Sequence, residues 1–269
     1  MTTEALIGGA AQTMSFTRII DLSTGLENDA AHEPTSAIID RRSHATGAAW
    51  MVERFGLSST ADLTASGGLG PASEMVTSVA HAGTHVDAPW HYHPTSEGAP
   101  AKTIDECPVD WFFGDGVVLD LRHKQAGELI LVEDLERTLA AIEYTLKPFD
   151  IVMLMSGCDK RLGSPDYFEQ PGMTRDATLW LVDQGIKVIG VDMYGFDRSF
   201  EAMAADFAET GDSARLWEAH FAGIDREYCQ IEKLVNLDQI PRPHGFKVAA
   251  FPIKIEGGSG GWCRAVAFV

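Results

Sequence analysis

Four histidines and one aspartate stand within thirteen consecutive residues of this chain, whose whole sequence has only nine histidines. The segment 81–93 reads His-Ala-Gly-Thr-His-Val-Asp-Ala-Pro-Trp-His-Tyr-His. His81, His85 and Asp87 offer two nitrogen ligands and one oxygen ligand, a set that binds zinc or manganese and leaves positions open for water and substrate. His91 is near enough in sequence to act as general base on a metal-activated water. The segment therefore predicts a metal-dependent hydrolase.

The chain has to bend inside this segment if one ion is to contact all three ligands. On a strand, positions 81, 85 and 87 share one face, but an extended strand would hold the first and last about 20 Å apart. Gly83 is the predicted bend, because glycine adopts unusual backbone angles at little cost. Pro89 blocks a regular continuation of the strand. We expect a strand that runs into a tight turn, with His93 outside the ligand set.

Composition and charge limit the class of protein. The chain has 269 residues, 45% hydrophobic and 22% charged, with a formal net charge of −18 and a pI near 4.8. This negative charge argues against nucleic acid or an anionic membrane surface as a partner, and no apolar run is long enough for a membrane span. We expect a small-molecule substrate and one domain over 1–269, with 1–15 a loose N-terminal extension.

The four cysteines, at positions 107, 158, 229 and 263, form no Cys-x-x-Cys pair. A structural zinc knot is therefore not predicted, and scattered cysteines are typical of a reducing compartment. The first fifteen residues also lack the basic start and apolar run of a signal peptide. These features predict a cytoplasmic protein.

Hydrophobic periodicity predicts an α/β fold with a partly parallel sheet and covering helices. The predicted strands are 16–22, 75–80, 117–121, 150–155, 187–191, 247–255 and 262–269. The predicted helices are 130–144 and 177–184, and a helical region over 212–219 precedes His220. The segment 23–73 is expected to be a long irregular excursion that carries substrate or subunit contacts.

The glycine-rich segment 257–261 formally matches the nucleophile elbow Gly-x-Ser-x-Gly. That motif needs a helix after the serine and a histidine further along the chain. Only eight residues follow, and none is a histidine. We therefore interpret the segment as a flexible turn between the last two strands.

The segment 81–91 resembles the signature His-x-Gly-Thr-His-x-Asp-x-Pro-x-His of the cyclase superfamily, which includes bacterial kynurenine formamidases and isatin hydrolases. The similarity extends through Gly190-Val-Asp192, His220 and Glu232 to the final segment 252–265, and covers about residues 16–269. It implies the family fold, which is a compact α/β unit with a barrel-like sheet, and an assembly of two or four identical subunits.

The resemblance also implies roles for individual residues. His81, His85 and Asp87 correspond to the metal ligands, and His91 corresponds to the general base. The positions of His220 and Glu232 help to hold a second metal in two-zinc formamidases. In isatin hydrolases a single manganese is expected, and His220 would then contact substrate or water. The metal is predicted to be Mn²⁺, with Zn²⁺ as the alternative, and one or two ions stay possible.

The predicted substrate is an aromatic amide, and the pocket should be lined by aromatic side chains. The candidates for substrate contact are Trp90, His220, Phe221, Trp50 and Phe55, with Tyr194 and Phe196 as further stacking candidates. The run 88–93 and the segments 104–106 and 110–112 look more like isatin hydrolases than formamidases, which favours the opening of isatin to isatinate. The alternatives are N-formylkynurenine hydrolysis, hydrolysis of another cyclic amide, imide or ester, and a metal-binding protein without catalytic activity.

Overall fold

A mixed sheet of nine strands organises the fold in the computed structural model, which describes residues 16–269. The predicted extension 1–15 lies outside the described residues. The strands are β1 Ile19–Asp21, β2 Ile38–Arg42, β3 Ser73–Thr77, β4 His85–Asp87, β5 Thr95–Ser96, β6 Ala99–Pro100, β7 Phe113–Asp120, β8 Leu129–Ile130, β9 Ile151–Met155, β10 Gly172–Met173, β11 Val188–Val191, β12 Cys229–Glu232, β13 His244–Ala249, β14 Gly260–Trp262 and β15 Val266–Phe268. The α-helices are α1 His44–Phe55, α2 Pro89–Tyr92, α3 Val132–Ala141, α4 Arg175–Val182, α5 Phe200–Thr210 and α6 Glu218–Phe221.

The order of strands in the main sheet is β1-β15-β13-β7-β9-β11-β12-β4-β14. The central strands β7, β9, β11 and β12 are parallel to one another, and every other pairing in this sheet is antiparallel. The sheet curls into a half barrel, so the predicted α/β class with a barrel-like mixed sheet is confirmed. Among the described residues, no helix has the length and apolar character that a membrane crossing requires.

Strand β9 shows why both faces of the sheet are covered. All five of its side chains are buried, as expected for a central parallel strand. Because side chains alternate along a strand, Ile151, Met153 and Met155 pack into one apolar cluster. Val152 and Leu154 pack into a second cluster, which includes side chains of α3 and α4. The sheet is therefore the shared wall of two cores.

The predicted excursion over 23–73 is more regular than its composition indicates. It contains β2, which pairs with β3, and the twelve-residue helix α1. Ser43 caps the first turn of α1 by accepting a hydrogen bond from the Thr46 N–H, and Gly56 ends it in the left-handed conformation. The prediction was wrong because only Gly47 and Ala48 of α1 are buried, so the helix lacks a long apolar stripe.

Two further predictions need correction near the site. The strand predicted over 75–80 is β3, which ends at Thr77 and pairs with β2, so it does not lead directly into the histidine segment. The helical region predicted over 212–219 is a short 3-10 turn followed by α6, and the longer helix α5 lies before it. Helix α5 was missed because Met203 is its only buried side chain.

The C-terminal strands also differ from the prediction. β13 and β15 pair antiparallel, as expected for a final strand pair. The glycine-rich segment between them is not a simple turn, because Gly260 and Gly261 belong to β14, which pairs with β4. A Cβ atom on Gly261 would lie 2.6 Å from the Ile253 carbonyl oxygen. Glycine is therefore needed here for a close approach within the sheet, a function that composition alone does not reveal.

Candidate metal centre

The histidine segment bends at Gly83, where the backbone φ is 60°, as predicted. After the bend, His85 and Asp87 form the two ends of the buried strand β4. This strand lies between β12 and β14 in the sheet. Glu232 of β12 is directly opposite His85 in the register. Because opposed residues of neighbouring strands project from the same face, the register brings Glu232 to the histidine segment.

Asp87 is at the centre of a cluster of histidine nitrogens. Its Oδ1 atom lies 2.6 Å from His81 Nδ1 and 3.1 Å from His85 Nε2. Its Oδ2 atom lies 3.8 Å from His220 Nε2. Glu232 closes the cluster, with Oε2 3.6 Å from His85 Nε2 and Oε1 3.6 Å from His220 Nε2. The structure thus brings the three predicted metal ligands together with His220 and Glu232, which the family resemblance implies as contacts of a second metal, substrate or water.

The donor atoms of this cluster are suited to a divalent cation. His85 Nε2, Asp87 Oδ2 and Glu232 Oε1 are buried and have no hydrogen-bond partner among the described residues. A buried polar atom without a partner is costly, and a bound ion would satisfy all three. Two groups of three residues each have ligand atoms within 4.8 Å of one another. The first group is His81, Asp87 and His91, and the second is His85, Asp87 and Glu232. Both one-ion and two-ion arrangements are compatible with these distances.

The pKa shifts of the carboxyl groups show how these charges interact. Burial disfavours the charged form of Asp87, but the neighbouring His85 and His81 outweigh burial and hold its pKa well below the usual range. Burial and the negative charge of Asp87 raise the pKa of Glu232 to about 6. Two carboxylates in one buried site repel each other, and a cation between them would relieve this repulsion.

Each of three histidines has one ring nitrogen hydrogen-bonded outside the cluster and the other directed into it. His85 Nδ1 is 2.9 Å from the Gly83 carbonyl oxygen. His81 Nε2 is 2.9 Å from Ser259 Oγ. His220 Nδ1 is hydrogen-bonded to the Asp197 carboxylate. Such partners fix the tautomer and orientation of a metal-binding histidine.

His91 lies on α2, which begins at Pro89. Its ring centroid is 4.1 Å from that of His81 and 5.6 Å from that of His220. Burial is the main cause that lowers the pKa of His91 to about 4; the charge of Asp87 opposes the shift, and the nearby His81 and His220 contribute to it. The imidazole is therefore neutral at neutral pH and can accept a proton.

A cavity of about 290 Å³ opens beside the cluster, and His81, His91, His220 and Glu232 all line it. Its other wall is largely aromatic and apolar, with side chains of Phe168, Tyr194, Phe200, Met203 and Trp217. Trp217 stacks on His220 with ring centroids 4.9 Å apart and an interplanar angle of 23°. The cavity therefore presents a flat apolar surface next to the candidate general base.

The other residues predicted to contact substrate do not line this cavity. Trp90 is 44% exposed and Phe221 is 37% exposed, and neither belongs to the cavity wall. Trp50 and Phe55 lie on α1, where they contact each other and are exposed to solvent. Phe196 is buried in the core. Of the predicted substrate contacts, the structure brings only His220 and Tyr194 to the cavity.

Several residues of the site were not predicted from the sequence. Trp217 lies in the predicted helical region 212–219, three residues before His220, and this closeness was the one signal for its role. Asp197 lies in the loop after β11 and is 23 residues from His220 in the sequence, so only the fold reveals their contact. Ser259 belongs to the glycine-rich segment that formally matches a nucleophile motif. That match was the one sequence feature that singled it out, and it did not indicate a contact with His81.

Comparisons with known proteins identify the family to which this chain is similar. The sequence profile of a family described as "putative cyclase" matches residues 20–198. The isatin hydrolase of Roseibium aggregatum is 28% identical over 200 residues, which cover 70% of this chain and 72% of that protein. The kynurenine formamidase of Erythrobacter litoralis is 28% identical over 191 residues, which cover 71% of this chain and 74% of that protein.

Solved structures show that the fold is shared over nearly the whole chain. The structure of isatin hydrolase A from Labrenzia aggregata bound to benzyl benzoate has a TM-score of 0.69 and 23% identity, covering 94% of this chain and 93% of that one. An isatin hydrolase bound to the product analogue thioisatinate has a TM-score of 0.70 and 21% identity, covering 93% of this chain and 92% of that one.

Proposed function

The chain belongs to the putative cyclase family, and on this premise we propose that it is a metal-dependent amidohydrolase that opens isatin to isatinate. The observation that supports this proposal most strongly is the buried group of unpartnered donor atoms around Asp87, next to the neutral imidazole of His91. The similarity to isatin hydrolases supports the choice of substrate.

The proposed metal would be held by His81, His85 and Asp87. His220 and Glu232 would either hold a second ion or contact substrate and water. We propose Mn²⁺ as the resident ion and Zn²⁺ as the alternative, since imidazole and carboxylate ligands suit both. When bound, the ion lowers the pKa of water and polarises the substrate carbonyl.

His91 performs the proton transfers in this proposal. Its neutral ring accepts a proton from the attacking water, and the same ring then returns that proton to the nitrogen that leaves the carbonyl carbon. That nitrogen is attached to an aromatic ring, so it is a better leaving group than an alkyl amine. A separate strong acid is therefore not required.

The aromatic side chains of the cavity wall are suited to binding a planar aromatic substrate. Trp217, Tyr194 and Phe168 offer ring faces or edges within the same cavity, and aromatic contacts of this kind favour offset or edge-on packing. We propose that Trp217 stacks on the indole-dione ring of the substrate. The reactive carbonyl of the substrate would then face the proposed metal ligands around Asp87.

Hydrolysis of N-formylkynurenine is the second candidate function. Glu232 favours it, because its two oxygens lie near His85 and His220 in an arrangement that could hold a second ion. The identity to a kynurenine formamidase equals the identity to an isatin hydrolase. The two activities must therefore be separated by experiment.

We also propose that the protein is a homodimer or homotetramer in the cytoplasm. The β2–β3 ladder and α1 support an assembly, because they expose Ile38, Trp50, Phe55 and Met75, and large exposed apolar patches commonly mark interfaces. The four unpaired thiols fit a reducing compartment. Light scattering coupled to size-exclusion chromatography would measure the molar mass of the protein in solution. A monomer at micromolar concentration would refute the proposed assembly.

The assay that tests the function uses metal-stripped protein with isatin and N-formylkynurenine in parallel, with Mn²⁺ or Zn²⁺ added in turn. We expect fast, metal-dependent loss of the visible absorbance of isatin and little formamidase activity. Formamidase activity alone would transfer the function to the second candidate. No turnover of either substrate by metal-loaded protein would refute both.

A further inference from the structure

A buried ion pair lies behind the bend of the histidine segment. Lys233 Nζ is 2.7 Å from Glu33 Oε2, and the two side chains are only 2% and 6% exposed. The residues are 200 positions apart in the sequence. A buried ion pair commonly gives little net stability, because desolvation of both charges offsets their attraction. Its presence beside the candidate metal centre therefore calls for a role other than general stability.

Both charged groups contact the backbone of the bend. The second carboxylate oxygen of Glu33 accepts a hydrogen bond from the Gly83 N–H at 2.7 Å. Lys233 Nζ donates to the His81 carbonyl oxygen at 2.8 Å. Thr84 Oγ1 donates to the Lys233 carbonyl oxygen at 2.6 Å. The bend between the first two histidine ligands is thus attached to the ion pair at two points, and to the Lys233 backbone at a third.

Lys233 lines the cavity, but two of the three N–H donors of its ammonium group are used within the protein. Its ammonium group contacts Glu33, the His81 carbonyl and the face of the Tyr194 ring, whose centroid is 4.7 Å away. Its own backbone has φ of 60°, a conformation that is uncommon for a residue with a side chain. An unfavourable conformation of this kind persists where the surrounding contacts determine it.

We infer that Glu33 and Lys233 are positioning residues that hold the 81–85 bend in the conformation that binds the metal. This inference rests on the proposed metal centre. An extended segment would separate His81 from Asp87 by about 20 Å, so the ligand set exists only while the bend is kept. The ion pair maintains it from outside the ligand set, by fixing one carbonyl and one N–H of the bend.

The metal affinity of the metal-stripped protein tests this inference. It is measured by isothermal titration calorimetry with MnCl₂ and ZnSO₄ as probes. We expect Glu33→Gln and Lys233→Met each to weaken the Kd by about 10- to 100-fold, the usual effect of losing a group that orients metal ligands. The electron paramagnetic resonance spectrum of bound Mn²⁺ should also broaden, because the ligand geometry becomes less uniform.

A matched control separates positioning from general stability. Lys124 and Asp134 form another largely buried pair, with Nζ and Oδ2 2.5 Å apart and side chains 13% and 7% exposed. Lys124→Met should lower the unfolding temperature without changing the Kd or the Mn²⁺ spectrum. If Glu33→Gln and Lys233→Met behave like Lys124→Met, with Kd within about twofold of wild type, the inference is wrong.

A milder variant covers the case in which the charged variants do not fold. Glu33→Asp keeps both charges but shortens the side chain by one methylene group, so the carboxylate should no longer reach Lys233 Nζ and the Gly83 N–H together. A weaker Kd supports the inference, and an unchanged Kd contradicts it. Because wild-type protein that binds Mn²⁺ without turning over isatin refutes only the proposed function, the two failures are distinguishable.

Discussion

Ser259 Oγ lies 2.9 Å from Nε2 of His81, although 178 residues separate the two in the sequence. The contact is possible because β14 pairs with β4, which brings the glycine-rich segment against the histidine segment. Gly260 allows the close approach, since a Cβ atom there would lie 2.9 Å from Cε1 of His81. The last strands of the chain thus fix the orientation of the first predicted metal ligand.

Ser259→Ala should weaken metal binding by about tenfold, because His81 loses the partner that fixes its ring. The unfolding free energy should fall by only about 1 kcal/mol, the usual contribution of one hydrogen bond. Calorimetric titration of stripped protein with Mn²⁺ measures the first effect. Ser96→Ala is the control, because Ser96 also makes one buried hydrogen bond, at 2.6 Å to the Gly223 carbonyl. Equal Kd values for the two variants would show that Ser259 has no positioning role.

Gly260→Ala should be more damaging than Ser259→Ala, because the added methyl group would press on the His81 ring. We expect a loss of about 1–3 kcal/mol of stability, as is usual for overpacking, together with reduced Mn²⁺ affinity. Gly261→Ala is matched to it, since its Cβ would meet the Ile253 carbonyl at 2.6 Å without reaching His81. The prediction fails if both variants lose stability and affinity to the same extent.

Metal-free protein should lose stability as the pH rises from about 6.5 to about 9. Burial opposes the charged form of His220, but the hydrogen bond and charge of Asp197 outweigh it and raise its pKa from 6.5 to about 9. The folded state therefore holds this proton more tightly than the unfolded state. The resulting stabilisation, on the order of 3 kcal/mol, is complete below pH 6.5 and disappears above pH 9.

Denaturant unfolding at several pH values between about 6 and 10 measures this dependence. The Asp197→Asn variant lacks the main cause of the raised pKa of His220, so the stability of this variant should change less across the same pH range. Parallel curves for the two proteins would mean that the His220–Asp197 pair does not control the pH dependence.

Trp217→Ala should raise KM for isatin more than it changes kcat. Loss of one aromatic contact, about 0.5–1.5 kcal/mol, corresponds to a rise in KM of about two- to tenfold. Trp180→Ala removes a tryptophan from α4, outside the cavity, and should leave KM unchanged. A constant KM in Trp217→Ala would exclude this ring from substrate binding.

The sequence was most informative where the functional residues are close together along the chain. His81, His85, Asp87 and His91 could be recognised from their types and spacing, and the bend at Gly83 followed from the distance that an extended strand would span. The parallel core strands, such as β9, were also predictable, because continuous apolar runs of this length favour buried strands.

Residues that reach the site through long-range pairing could not be predicted in the same way. Ser259 and Gly260 reach the site because β14 lies beside β4, and Glu33 reaches it through its contacts with Lys233 and the Gly83 N–H. Trp90 lies outside the cavity wall although it stands within the motif, because closeness in sequence does not determine which side of a short helix faces the cavity.

The most direct test of the account is isatin hydrolysis by His91→Ala at a measured metal content. We predict that this variant binds as much Mn²⁺ as wild type and that its turnover falls by about 10²- to 10⁴-fold, the usual contribution of a general base. His93→Ala should keep wild-type turnover, because the His93 side chain hydrogen-bonds only to Thr95 among the described residues. Wild-type turnover by metal-loaded His91→Ala would contradict the assignment of His91 as the base and with it the proposed mechanism.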